Sequence, residues 1–173
     1  MDFKTEELDA TISSLTFNRE RHGDEKKICA VLNLKIETAP EVLDQLTKNE
    51  GNAFSSALYD KDGNFKTHGI DDMKFNTDFD HHVVRLNYSL DENNAKEFTE
   101  AKILKFKADP KNGHIVDLYF QLQIHLSPEN NHWMLDGYVR DIWTIQVLGA
   151  QQAGLNLVDN GSDDSDDQEP AAA

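Results

Sequence analysis

Cysteine is almost missing from this 173-residue chain. The single Cys29 has no partner for an intrachain disulfide, so a small extracellular scaffold stapled by disulfides is excluded and a reducing compartment is favoured. With no second thiolate, Cys29 reads as a small packing residue within a strand pattern. No apolar run approaches the length of a membrane-spanning helix, and the opening MDFKTEELDA has no basic-then-apolar leader, so the expected location is cytoplasmic. Positive charge is also scarce: 17 lysines and arginines face 32 acids, a net charge of −15. Residues 159–173 hold six of those acids and no base, which leaves −9 on residues 1–158. Such a body cannot grip duplex DNA broadly, because that affinity comes from cations displacing counterions; a local basic groove stays possible.

Catalytic signatures are absent too. No glycine-rich phosphate loop and no nucleophile elbow occurs, and no internal repeat is visible. Of the seven histidines, His81 and His82 are adjacent, which puts them on opposite faces of a strand, and no His-x-x-x-His pair exists. Asp60-Lys61-Asp62-Gly63-Asn64 resembles the start of a calcium loop, but Phe65 stands where the sharp turn needs glycine and Asp71 where a bidentate glutamate belongs. An ordinary Asp-Gly turn accounts for it better. The expectation is a protein without enzymatic activity, metal or cofactor.

What is present is alternation. From Val116 to Leu126 every second residue is apolar (Val116, Leu118, Phe120, Leu122, Ile124, Leu126), with Asp117, Tyr119, Gln121, Gln123 and His125 between them. A strand repeats its side-chain direction every two residues, so this is one buried face and one wetted face. Ala101–Ala108 alternates likewise, with Leu104 and Phe106 assigned to one face, and Asp109-Pro110-Lys111-Asn112-Gly113 supplies turn chemistry between the two. The pair is predicted to form a long antiparallel hairpin.

Further strands are predicted over Thr11–Phe17, Lys27–Glu37, His82–Leu90 and Asp141–Leu148, with Asn18–Glu25 as a solvated connection. A short helix is expected after Thr38-Ala39-Pro40-Glu41, with Thr38 and Glu41 as a capping box and Val42, Leu43 and Leu46 as its apolar stripe. A second brief helix is expected over Ala53–Tyr59, then a long loop over Asp60–Asp80 holding a short strand near Met73–Phe75. Ser127-Pro128 opens a third helix that packs through Trp133, Met134, Leu135 and Tyr138. The fold class is therefore β-rich α+β: an antiparallel sheet of about six or seven strands, as a sandwich or partly open barrel, with two or three short helices. Residues 1–158 should form one domain and residues 159–173 a disordered acidic tail.

Lys102, Lys105, Lys107 and Lys111 cluster on the hairpin, and Tyr119 projects from the polar face of the partner strand. Lysines beside an exposed ring suit single-stranded DNA, where charge follows the backbone and the ring stacks on bases. The competing reading is an edge strand whose lysines discourage sheet-to-sheet pairing. An acidic tail can regulate access to such a groove or recruit basic partners. The acidic body opens a further alternative: a DNA mimic or interaction protein that inhibits a host DNA-binding or defence complex through a basic DNA-handling protein.

Several stretches resemble an uncharacterised group of phage and prophage proteins: Arg21-His22-Gly23-Asp24-Glu25, Glu41-Val42-Leu43-Asp44, Ser56-Ala57-Leu58-Tyr59, the Ala101–Phe106 strand, Gly113 with Val116-Asp117-Leu118, and the closing helix and strand. The resemblance implies an accessory role near DNA recombination and replication. The acidic tail is similar to those of single-stranded DNA-binding proteins, yet it ends Glu169-Pro170-Ala171-Ala172-Ala173 without a terminal aromatic.

Overall fold

The structure, a computed structural model, describes residues 2–22, 25–47, 54–66, 72–89, 92–140 and 142–150. The tail 159–173, Asp71 and part of the Arg21–Glu25 stretch lie outside them.

Seven strands form one antiparallel sheet: β1 (Leu8–His22), β2 (Glu25–Thr38), β3 (Met73–Lys74), β4 (Phe79–Asn87), β5 (Lys96–Lys111), β6 (Ile115–Leu126) and β7 (Trp143–Ala150). Their order is β3-β5-β4-β7-β1-β2-β6, and a further pairing of β5 with β6 closes six of them into a ring. The expected β-rich α+β class holds, on the barrel side of the two architectures. Closure is weakest between β1 and β7, which pair only from Leu8 to Ala10.

Bulges bend the strands into that ring. β5 carries Glu100 (φ 58°) and Lys105 (φ 58°) in the left-handed region, and β4 carries His81 (φ 55°). Each adds a residue that shifts which side chains face inward. Phe98, Ala101, Ile103, Phe106 and Ala108 are accordingly buried while Leu104 is not, which corrects the expected pairing of Leu104 with Phe106 on one face.

Two aromatic clusters fill the interior at the two ends of β4. At one, the fully buried ring of Phe3 packs 5.3 Å from Phe79, 5.1 Å from Phe106 and 6.4 Å from Phe120. The N-terminal segment is strapped there by hydrogen bonds from the Phe3 amide to His82 Nε2 (3.2 Å) and between Lys4 and the Gln45 amide. At the other end Tyr88, Phe98, Trp133 and Trp143 pack together. Trp133 belongs to α2 (Pro128–Arg140), the helix that covers this opening.

Several boundaries differ from the sequence reading. β1 and β2 run through Asn18–His22 and meet with His22 opposite Glu25, so most of the supposed connection is a hairpin arm. Asp109 and Pro110 are strand residues opposite Asp117 and Val116, and the turn lies at residues 112–114. Thr38 continues β2 opposite Val116 and caps nothing; the 3₁₀ turn Pro40–Gln45 starts after Ala39 without a side-chain cap. Ser127 does cap α2, accepting the Asn130 amide at 3.3 Å. Of the four residues assigned to the packed side of α2, Trp133 and Met134 are buried, whereas Leu135 and Tyr138 face outward and Gly137 takes their place. α1 (Phe54–Leu58) falls within the expected helix.

Candidate nucleic-acid interface

The outer face of β2, β6 and β5 brings part of the expected constellation together. Register places Tyr119 opposite Lys35 on one side and Lys107 on the other, a row across three strands. The two ammonium groups stand 5.8 Å and 5.7 Å from the centroid of the Tyr119 ring, within cation–π range. Lys35 comes from β2 and was not among the sequence candidates. Alternation over Lys27–Glu37 places it on the face opposite Ile28, Ala30, Leu32, Leu34 and Ile36, but nothing in one sequence says which strand lies beside β2.

On one side of this row is a chain of polar groups. Gln123 Nε2 donates to Gln121 Oε1 (3.3 Å), Gln121 Nε2 to Asn33 Oδ1 (3.2 Å), and Asn33 Nδ2 to Ser14 Oγ (2.6 Å). On the other side are three carboxylates in register, Glu37, Asp117 and Asp109. Asp117 is nearly buried and Lys35 Nζ reaches it at 2.8 Å; that hydrogen bond holds the Lys35 ammonium charged above its ordinary range. Asp72 likewise pairs with Lys107 at 2.8 Å and raises its pKa, and Asp109 does the same for Lys111.

The remaining candidates are spread out. Lys102 sits opposite Gln123 and lies 3.7 Å from Asp80, and Lys111 is at the turn end of β5. Lys105 projects from the bulge, exposed, with no carboxylate in ion-pair range among the described residues. The face therefore has five lysines, four of them already paired to acids. It is a patch near electrical balance on an acidic protein, in place of the basic groove that the lysines alone suggest.

No family model, curated protein or solved structure matches this chain. The functional reading therefore rests on the geometry of the face itself.

Other candidate chemistry does not assemble. Asp60 Oδ1 accepts the amides of Asp62 and Asn64 (2.9 and 2.8 Å), which is a turn held by its own aspartate. Gly63 O in turn accepts the Gly113 and His114 amides, docking that turn on the β5–β6 connection. Among the described residues no group of three histidine, cysteine or acidic side chains could hold a metal ion. Cys29 is buried, and no described helix is long and apolar enough to cross a membrane.

Proposed function

We propose that the chain binds single-stranded DNA across the outer face of β2, β6 and β5, as a non-enzymatic accessory protein of DNA metabolism of the phage type its sequence resembles. The observation that carries this reading is Tyr119 held in register between Lys35 and Lys107. Both ammonium groups rest against the ring, so a base that stacks on Tyr119 displaces at least one of them. The displaced lysine is then available to a phosphate. The Lys107–Asp72 pair is exposed, and such pairs contribute about 0.2–1 kcal/mol against about 1–3 kcal/mol for base–aromatic stacking, so release of Lys107 favours the bound state, while Lys35 stays on the nearly buried Asp117. The amides of Asn33, Gln121 and Gln123 offer donors and acceptors to base edges beside the ring. Lys105, unpaired among the described residues, and Lys102 extend the phosphate contacts along β5, and the acidic tail competes for the same lysines.

With roughly three to four lysines engaged, log affinity should fall with log salt at a slope of about −2 to −3. The test is fluorescence anisotropy with a labelled single-stranded oligonucleotide at several salt concentrations. Micromolar, salt-sensitive binding that weakens about tenfold in Tyr119→Ala and more in Lys107→Glu is the expected result. Absence of binding at low salt, with residues 159–173 deleted as well, would overturn the proposal. The rival, an acidic DNA mimic, draws on the row Glu37–Asp117–Asp109 and the net charge of −15. It predicts that a basic DNA-handling protein is retained by the chain and released by Glu37→Lys.

A further inference from the structure

α2 packs inward through Trp133, Met134 and Gly137, yet it carries a second apolar stripe on its outer side. Leu135, Tyr138 and Val139 follow the i, i+3, i+4 spacing of one helix face, and Ile142, past the helix end at Arg140, extends the apolar surface. All four are exposed, Val139 at 84% and Ile142 at 62%. The stripe opens at its Leu135 end on a groove of about 330 Å³ between α2 and the β1–β2 arm, where Phe17 and Ile28 continue the apolar lining. At its other end Ile142 lines a second depression with Asp9 and Thr11. α2 shares the first of these hollows with β1, which beyond Ala10 pairs with β2 alone among the described residues. From Ala10 to Asn18 this edge contains no charged residue and no proline, the usual protections of an unpaired strand.

We infer that this face is the contact between two copies of the chain, with α2 packed antiparallel on α2 of the second copy about a two-fold axis between Tyr138 and Val139. That axis sets Tyr138 against Val139 of the second copy, with Leu135 facing the end of the other helix, beyond which its Ile142 lies, so apolar surface meets apolar surface. A symmetric contact needs this self-complementarity, and a surface shaped for an unlike partner does not. Charge points the same way. Asp136 and Arg140 flank the stripe, exposed and paired within one helix at 3.2 Å. In the antiparallel arrangement Arg140 of each copy approaches Asp136 of the other, so two molecules of net charge −15 meet where their charges attract. The exposed parts of Phe17, Leu135, Tyr138, Val139 and Ile142 amount to on the order of 500 Å² per copy, hence about 1,000 Å² in the pair, where specific interfaces begin. This inference does not rest on DNA binding, although Lys35 and Glu37 beside the proposed DNA face also line the depression at Ile142.

Sedimentation equilibrium of the full chain at up to about 100 µM, a concentration that reveals even weak association, is the test. The expected species is a dimer of twice 19.6 kDa, and Val139→Glu or Leu135→Glu should weaken it at least about tenfold with unchanged circular dichroism. Because a charged variant could act through folding, Val139→Cys gives a second measurement. Near the axis it should oxidise to a covalent dimer, while Ser56→Cys on exposed α1 should not. A chain that stays at 19.6 kDa throughout overturns the inference and leaves the stripe to a different protein or to residues 151–158. A dimer indifferent to Val139→Glu overturns it as well.

Discussion

Gly137→Ala sets two effects of comparable size against each other, and the geometry decides between them. In an isolated helix alanine is favoured over glycine by about 1 kcal/mol, so the substitution would ordinarily stabilise α2. Here the added methyl would stand 2.5 Å from Tyr88 Cδ1 and 2.6 Å from Trp143 Cζ2, closer than real Cβ contacts come. Neither ring can step aside cheaply. Tyr88 is tied through its hydroxyl to Asp136 (3.0 Å), and Trp143 is 2% exposed and packed edge-on to Trp133 at 5.5 Å. Overpacking of a tight core costs typically about 1–3 kcal/mol, and two immobile rings place this site toward the upper end. The net expectation is destabilisation by about 1–2 kcal/mol. At this chain length that lowers the melting temperature by roughly 2–8 °C. Urea unfolding read by tryptophan fluorescence is the natural assay, since both tryptophans of the protein lie at the contact. A variant with a midpoint equal to or above that of the parent would refute the reasoning, because helix propensity would then have outweighed the close approach.

Two further predictions concern the N-terminal strap. Phe3→Ala removes a fully buried ring from a cluster of three others and should cost about 3–5 kcal/mol in thermal or urea unfolding; a loss under 1 kcal/mol would mean that the strap is not part of the core. Burial pushes the Asp2 carboxyl up, but hydrogen bonds from Lys4 and from the Ala150 amide, with the charge of Lys4 nearby, bring it below its ordinary value. A depressed carboxylate contributes stability above its unfolded pKa and loses it as pH falls through the folded one. Asp2→Asn should therefore melt below the parent at neutral pH and converge with it in acid, by a small amount because Asp2 is 41% exposed. Parallel melting curves across that range would contradict the assignment.

The elements that could be read from the sequence are those where one period persists. β6 alternates from Val116 to Leu126 without interruption, and every apolar residue expected inward is buried. β5 fails the same rule because its period breaks at Glu100 and again at Lys105, each with positive φ on a residue that favours no such conformation. Glycine or asparagine there would have announced a bulge; glutamate and lysine do not. The outer stripe of α2 was misassigned for a related reason. Leu135 and Tyr138 are as apolar as Trp133 and Met134, so periodicity offers two faces, and only Gly137 against Trp143 decides which one packs.

The candidate interface was partly visible for a different reason. Lys107 and Tyr119 could be placed face to face because a hairpin's two strands are neighbours by construction. Their charge environment could not, since most of the pairings join distant elements: Asp72 precedes β3, Asp80 is in β4, and the partner of Asp117 is Lys35 in β2, while Lys111 alone finds its acid, Asp109, on its own strand. Counting lysines along β5 suggests a strongly basic strip, while counting charges across the closed sheet gives near balance. That difference changes the expected behaviour. A basic strip would bind any polyanion with a steep salt dependence, duplex included, whereas under the proposed mode paired lysines around one ring would release to phosphate only when a base occupies the ring. Preference for single strands over duplex should accordingly come from Tyr119, and Tyr119→Ala should erase the preference before it erases the residual binding.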